Sequence, residues 1–189
     1  MLKTLVEKNR SYRRFDESSA VSTDTLQELV DLARITACGA NKQALRYWLV
    51  SGKDETAKVF PHLGWAGYLK DWDGPPEGER PTAYILLLQK EDYQLGSPYD
   101  AGIAAQTILL GAVEKNLGGC ILANIHRTQI KETLALPKNM DILLVLAIGK
   151  PKENIVIDEI RAGADIKYWR EADGTHHVPK IKLSDVILS

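Results

Sequence analysis

Apolar positions recur along this chain with periods that change from segment to segment, and those periods predict its elements. Leu2, Leu5 and Val6 give a short amphipathic turn over residues 2–8. Leu26, Leu29, Val30 and Ala33 fall at i, i+3, i+4 and i+7, the one-faced pattern of a helix over 23–36. Ser22 or Thr23 could cap it, and Thr25 with Glu28 has capping-box spacing. Residues 37–46 break the pattern and read as a loop that could lead into a short helix. Tyr47–Ser51 is aromatic and β-branched, which predicts a strand. Ala83–Gln89 and Ile142–Ile148 are unbroken apolar runs, the mark of strands buried on both faces. Between residues 97 and 116 the pattern returns to helix. Ser97-Pro98-Tyr99-Asp100 has N-cap chemistry, and Ala101, Ala104, Ala105, Ile108, Leu109, Ala112 and Val113 form a broad apolar surface. That breadth marks it as the central helix. Gly102 and Gly111 suggest close approach of another backbone, and Gly118-Gly119 is placed to end the helix. A short strand follows at Cys120–Leu122, then a short helix over Thr128–Leu134 that Pro137 stops.

Two stretches fit no period. Residues 60–81 carry Trp65, Tyr68 and Trp72 and then the turn-forming run DGPPEGERP. A loop of this length within one domain is often functional, so a lid and plain packing stand side by side as readings. Residues 152–189 are more polar and end on Val186-Ile187-Leu188. A tail this long must pack somewhere, and a second subunit is one place it could wrap.

Composition narrows the class. The chain has 189 residues, 44% apolar and 26% charged, with a net charge of -1. One domain with a single core is expected, and intrinsic disorder is not. A near-neutral charge balance argues against a general nucleic-acid binder. The two cysteines, Cys38 and Cys120, cannot make a disulfide scaffold and fit a reducing cytoplasm. No apolar run is long enough to span a membrane, and the N-terminus lacks a secretory stretch.

Candidate chemistry is scattered. The G-x-G-x-x-G, P-loop and G-x-S-x-G motifs are absent. The histidines have no metal-ligand spacing, and adjacent His176 and His177 would point to opposite strand faces, which favours two partly exposed polar residues. Arg10, Ser11, Arg13 and Arg14 could form a phosphate site or a solvated charged surface. Asn41 and Gln43 offer paired amides to a planar heterocycle, or are ordinary loop polar groups. Gly118-Gly119 could let a ligand ring lie against bare backbone, with Asn124 just beyond the strand. Strand alternation would put Lys180 and Lys182 on one face, where they could complete an anion site. Cys38 and Cys120 read as small buried hydrophobes rather than nucleophiles.

These signals occur in an order that resembles the nitroreductase family of flavin mononucleotide (FMN)-dependent oxidoreductases, over nearly the whole chain. NRSYRRF is similar to the family's R-R-S-x-R-x-F start, with Asn9 in place of the first arginine. GANKQALRYWLV resembles S-x-x-N-x-Q-P-W-R-F-x-V, matching at Asn41 and Gln43 and departing at Ala44 and Leu45. SPYDAGIAAQTILLGAVEKNLGGCIL resembles the family's central helix and the turn after it, AIGKPKE its A-x-G-x-P-x-E strand end, and VPKIKLSDVI its closing R-x-P-L-E-E-V-V.

The resemblance implies an α+β fold: a mixed, mostly antiparallel sheet flanked by helices around a long central one. It implies an intertwined homodimer with FMN at the interface and residues 152–189 packed on the partner. The phosphate would be met by Arg10, Ser11, Arg13 and Lys180, with Arg14 and Lys182 as further cofactor-binding cations. Asn41 and Gln43 would meet the ring or ribityl chain, and Leu122, Ala123 and Asn124 would lie beside the ring. Trp65, Tyr68 and Trp72 would cover the acceptor side. The implied reaction carries hydride from NADH or NADPH, through flavin N5, to an electron-poor acceptor such as a nitro compound or quinone, in ping-pong fashion. No protein group is needed as catalytic acid or base, and no metal. Two alternatives stay open: another flavin reaction on this scaffold (dehalogenation, enoate reduction or flavin fragmentation), and a non-catalytic flavin-binding protein.

Overall fold

In the computed structural model, which describes residues 1–90 and 98–188, the two long apolar runs become the centre of a sheet. Strands β1 (Arg46–Ser51), β2 (Ala83–Lys90), β3 (Gly118–Leu122) and β4 (Met140–Gly149) pair antiparallel in the order β1-β2-β4-β3. Side chains alternate across a strand, so β2 feeds two cores at once. Tyr84, Leu86 and Leu88 enter one, while Ala83, Ile85 and Leu87 enter the other. On β4, Ile142 shares a face with Val145 and Ala147 despite their odd spacing. A register shift opposite Leu87/Leu88 supplies the extra residue that changes the parity.

The second core is covered by helices α2 (Thr23–Ile35) and α4 (Pro98–Glu114), here numbered after the N-terminal α1 (Leu2–Lys8) and α3 (Lys53–Val59). The Ser22 hydroxyl caps α2, accepting from the Thr25 N–H at 3.2 Å. The expected cap at Ser97 lies outside the described residues. The first core holds Trp65, Cys120, Leu122 and Ile130, the last from α5 (Arg127–Thr133). Beyond β4, residues 152–188 make a small sheet of their own. It has strands β5 (Ile155–Ile160), β6 (Trp169–Arg170) and β7 (His176–Ile181), ordered β5-β7-β6 with β5 and β7 parallel, and ends in α6 (Leu183–Val186). The α+β class and the central helix are therefore as the sequence predicts. No described helix is long and apolar enough to cross a membrane.

Three expectations are corrected. Gly118-Gly119 does not cap α4: the helix stops at Glu114, Asn116 takes the left-handed conformation (φ 57°), and the two glycines open β3. Gly111 clears the Leu32 side chain rather than a backbone, and Gly102 faces open space. The segment 60–81 is not a free loop. Leu63 bridges Ile125, the Trp65 side chain is in the first core, and Arg80 lies over the Phe60 ring at 4.3 Å.

Candidate functional site

The basic tract owes its shape to the strand beside it. Ser11 bridges Gly119 in parallel register, and the Tyr12 N–H donates to the Gly119 carbonyl at 3.0 Å. The glycines of β3 make this approach possible. A Cβ on Gly118 would meet the Tyr12 ring at 2.5 Å, and one on Gly119 would meet the Ala147 carbonyl at 2.4 Å. So Gly118 leaves room for the chain's own N-terminal segment, and Gly119 for β4 behind it. Fully buried Phe15 then anchors the segment against Gly149.

This anchoring aligns Arg10, Ser11 and Arg13 along one wall of a cleft of about 340 Å³. The other wall comes from the tail, with Tyr168, His176 and Lys180. None of the residues lining the cleft is acidic. Arg10 donates through Nη2 to the Val6 carbonyl (2.7 Å), and Arg13 through Nη1 to the Ser11 carbonyl (3.1 Å). The Arg13 guanidinium also lies over the Tyr168 ring at 5.0 Å. The Nε of each arginine is buried without a partner in the protein. Behind them, Glu153 (side chain 1% exposed) accepts from the backbone N–H of Arg13 and of Arg14, and pairs with Arg170 at 3.0 Å.

The other sequence-chosen cations stand outside this cleft. Arg14 forms a two-point fork with Glu79, whose Oε1 accepts from Nη2 at 2.8 Å. That hydrogen bond holds the Glu79 carboxyl below its ordinary range and the Arg14 guanidinium above its own. Lys182 follows β7 and pairs with Glu159 at 3.1 Å, so it does not share a strand face with Lys180.

Asn41 and Gln43 lie on a different part of the chain. Ala40, Asn41 and Gln43 all take positive φ (48°, 52° and 50°), a costly conformation for residues other than glycine. The loop is tied to the start of α4, where buried Asp100 accepts from the Gly39 N–H at 2.9 Å. Gln43 and Asp100 line a smaller cleft of about 140 Å³ that shares no residue with the cationic one. Leu122 is buried in the first core, while Ala123 and Asn124 are exposed at the far end of β3. The Asn124 carbonyl accepts from the Gly64 N–H at 2.9 Å, and its side chain lies where a Gly64 side chain would be.

The aromatic trio divides. Trp65 is a core residue at 9% exposure, packed on Phe60 and on Gly74. Trp72 is half-buried beneath the Arg170 guanidinium at 4.5 Å. Tyr68 is exposed, and its ring meets Tyr168 at 4.9 Å between centroids.

Sequence reasoning missed His176. Its ring is fully buried on the cleft wall, neither nitrogen has a partner, and it faces Tyr168 at 5.2 Å. Burial and the nearby Arg13 and Arg170 charges push its pKa down to about 4. Neighbouring His177 behaves as an ordinary strand histidine, paired with Asp158 at 2.9 Å and stacked on Trp169. The alternation of the two was legible, but which face was buried was not. Cys120 is buried with its thiol pKa raised by that burial, as an inert side chain, and Cys38 is half-buried. Among the described residues no group of three His, Cys, Asp or Glu is arranged to hold a metal.

Comparison with known proteins bears out the resemblance read from the sequence. Residues 78–150 match the model of the nitroreductase family. A stretch of 57 residues is 37% identical to an NADPH-flavin oxidoreductase of Vibrio harveyi, spanning 29% of this chain and 24% of that protein. The fold matches a nitroreductase family protein from Clostridium novyi NT with a TM-score of 0.66 and 20% identity, covering 80% of this chain and 86% of that one. It also matches an FMN-dependent nitroreductase from Clostridium difficile R20291, with a TM-score of 0.62, 21% identity and coverage of 79% and 87%. The chain has the nitroreductase fold.

Proposed function

We propose that this chain is an FMN-dependent oxidoreductase that takes hydride from NADH or NADPH and delivers it to an electron-poor acceptor such as a quinone or nitro compound. One observation carries the reading: the cationic cleft, where Arg10 and Arg13 keep buried Nε donors without partners beside Ser11 and Lys180. Buried polar groups are normally satisfied, so two orphan guanidinium donors in an acid-free cleft fit a bound anion. A phosphate monoester suits this donor set because the forks of arginine match its oxygens.

From the phosphate cleft, β3 runs on past Gly119. At ~3.3 Å per residue, the strand carries the chain about 10 Å farther to Leu122, with Ala123 and Asn124 just beyond its end. Bound flavin supplies the hydride chemistry, at N5 of its ring. The protein's task is to hold and orient it. Arg10, Ser11, Arg13 and Lys180 neutralise the phosphate, and the exposed backbone around Ala123 and Asn124 borders the ring. Asn41 and Gln43 reach the ring or ribityl chain from a second copy of the chain, since within one copy Gln43 lines a cleft separate from the cationic one. Exposed Tyr68 stands at the acceptor side.

Initial rates with NADPH or NADH varied at several fixed quinone concentrations test the reading. Parallel double-reciprocal lines are expected, because both substrates use one site in turn. Flavin-loaded protein that turns over neither nicotinamide with any quinone or nitro acceptor would contradict it, and would favour a protein that only holds flavin.

A further inference from the structure

We infer that His176 is a further ligand of the anion in the cationic cleft, a neutral imidazole whose N–H completes the donor set of Arg10, Ser11, Arg13 and Lys180. The inference rests on the proposed flavin reading only for the identity of the anion.

His176 is fully buried, lines the cleft, and has no partner on either ring nitrogen. A neutral imidazole has one N–H and one lone pair, and burying both unpaired is unfavourable. Its own strand does not require a polar residue there: β7 pairs through its backbone with β5 at Ile155 and with β6 at Arg170. A ligand atom entering the cleft is the partner the ring lacks.

The surrounding charges fix the form in which it binds. Arg13 faces it from the N-terminal segment, Arg170 from β6 and His177 from its own strand. Arg10 and Lys180 line the same cleft, while the one buried carboxylate behind them, Glu153, is engaged by Arg13, Arg14 and Arg170. Tyr168 packs against the ring. Without an anion, burial first and these cations second hold the ring neutral, with a pKa of about 4. A phosphate dianion would offset Arg13 and Arg170, so its arrival must raise that pKa while it takes the N–H bond. His176 thereby favours a phosphate ester over the unphosphorylated ligand.

The experiment compares FMN with riboflavin, which differ by the phosphate alone. In His176→Phe, FMN affinity should fall about tenfold, the loss of one hydrogen bond to a charged group, while riboflavin affinity stays within about twofold. His176→Asn, which keeps an N–H donor, should recover part of the loss. Wild-type protein with 15N-labelled histidine gives a second measurement that needs no variant to fold. FMN or inorganic phosphate should move the His176 ring resonances and raise its pKa, and riboflavin should not. An FMN-to-riboflavin affinity ratio unchanged in His176→Phe overturns the inference, as do ring shifts equal for the two flavins. If FMN fails to bind while inorganic phosphate still moves the ring, the flavin reading falls and the role of His176 stands. If neither phosphate compound reaches the ring, the role itself is overturned.

Discussion

Arg13 is placed to do two things at once: it faces the cleft and lies over Tyr168, joining the N-terminal segment to the tail. Arg13→Ala should lower FMN affinity about 10- to 100-fold, as expected for a lost charged hydrogen bond, measured by quenching of flavin fluorescence. Lys182→Ala should leave that affinity within about twofold, because Lys182 is engaged with Glu159. Equal losses in the two variants would contradict the assignment. The same residues set a pH dependence. His176 has a folded pKa near 4 against an ordinary 6.5, so the unfolded chain binds the extra proton first. The stability held by the neutral ring is complete above pH 6.5 and is lost as pH falls from 6.5 toward 4. Glu79 is depressed by its hydrogen bond from Arg14, so its contribution is present above the ordinary glutamate range and lost only as pH falls through its lowered pKa. Thermal melts from pH 7 to pH 4 should show a declining midpoint, and His176→Phe should flatten the upper part of that decline. A variant with the wild-type slope would count against it. At this scale the sequence showed residue types but not pairings. Arg10 and Arg14 look alike in NRSYRRF, and only the fold brings Glu79 and Glu153 to Arg14 while leaving the Arg10 Nε unpaired.

Elements with strong periodicity were legible: α2, β2, α4 and β4 lie within a residue or two of their predicted bounds. Their junctions were less so, because a glycine signals permissiveness without saying what needs it. Gly119 looked like a helix terminator and is instead the contact point of β3 with the Ala147 carbonyl and the Leu109 side chain. Gly119→Ala should therefore destabilise the protein by about 1–3 kcal/mol, the usual cost of overpacking, as read by urea denaturation. It should also weaken FMN retention, since Ser11 is registered on this residue. An unchanged unfolding midpoint would refute the close contact. The end of α5 gives the opposite case. Ala135 takes a left-handed conformation (φ 49°) and is exposed, where glycine is preferred. Ala135→Gly should raise stability by up to about 1 kcal/mol. In the tail, strand alternation was read only at His176-His177 and Lys180-Lys182, and the bounds and pairing of the strands were not legible, because β5 and β7 are half-exposed and their polar positions mask the pattern.

For the whole molecule, the unpartnered surface is the telling feature. Leu2 and Val6 on α1, Ile103 on α4, and Leu183, Val186 and Ile187 in the tail are all exposed. Were these residues to form one contiguous patch, it would mark an interaction face. The first part of the tail is also held on its own chain through Glu153, Tyr168 and Arg170. A homodimer is the expected state, and removing residues 182–189 should yield monomers by light scattering and release flavin with them. A truncated protein that stays dimeric and yellow would show that the interface lies elsewhere. The most direct measurement is an anaerobic titration of the purified, FMN-loaded protein with NADH and with NADPH, followed in the visible spectrum. Stoichiometric bleaching by one or both, reversed by a quinone, is the predicted result. A yellow spectrum that neither nicotinamide changes would contradict the oxidoreductase reading.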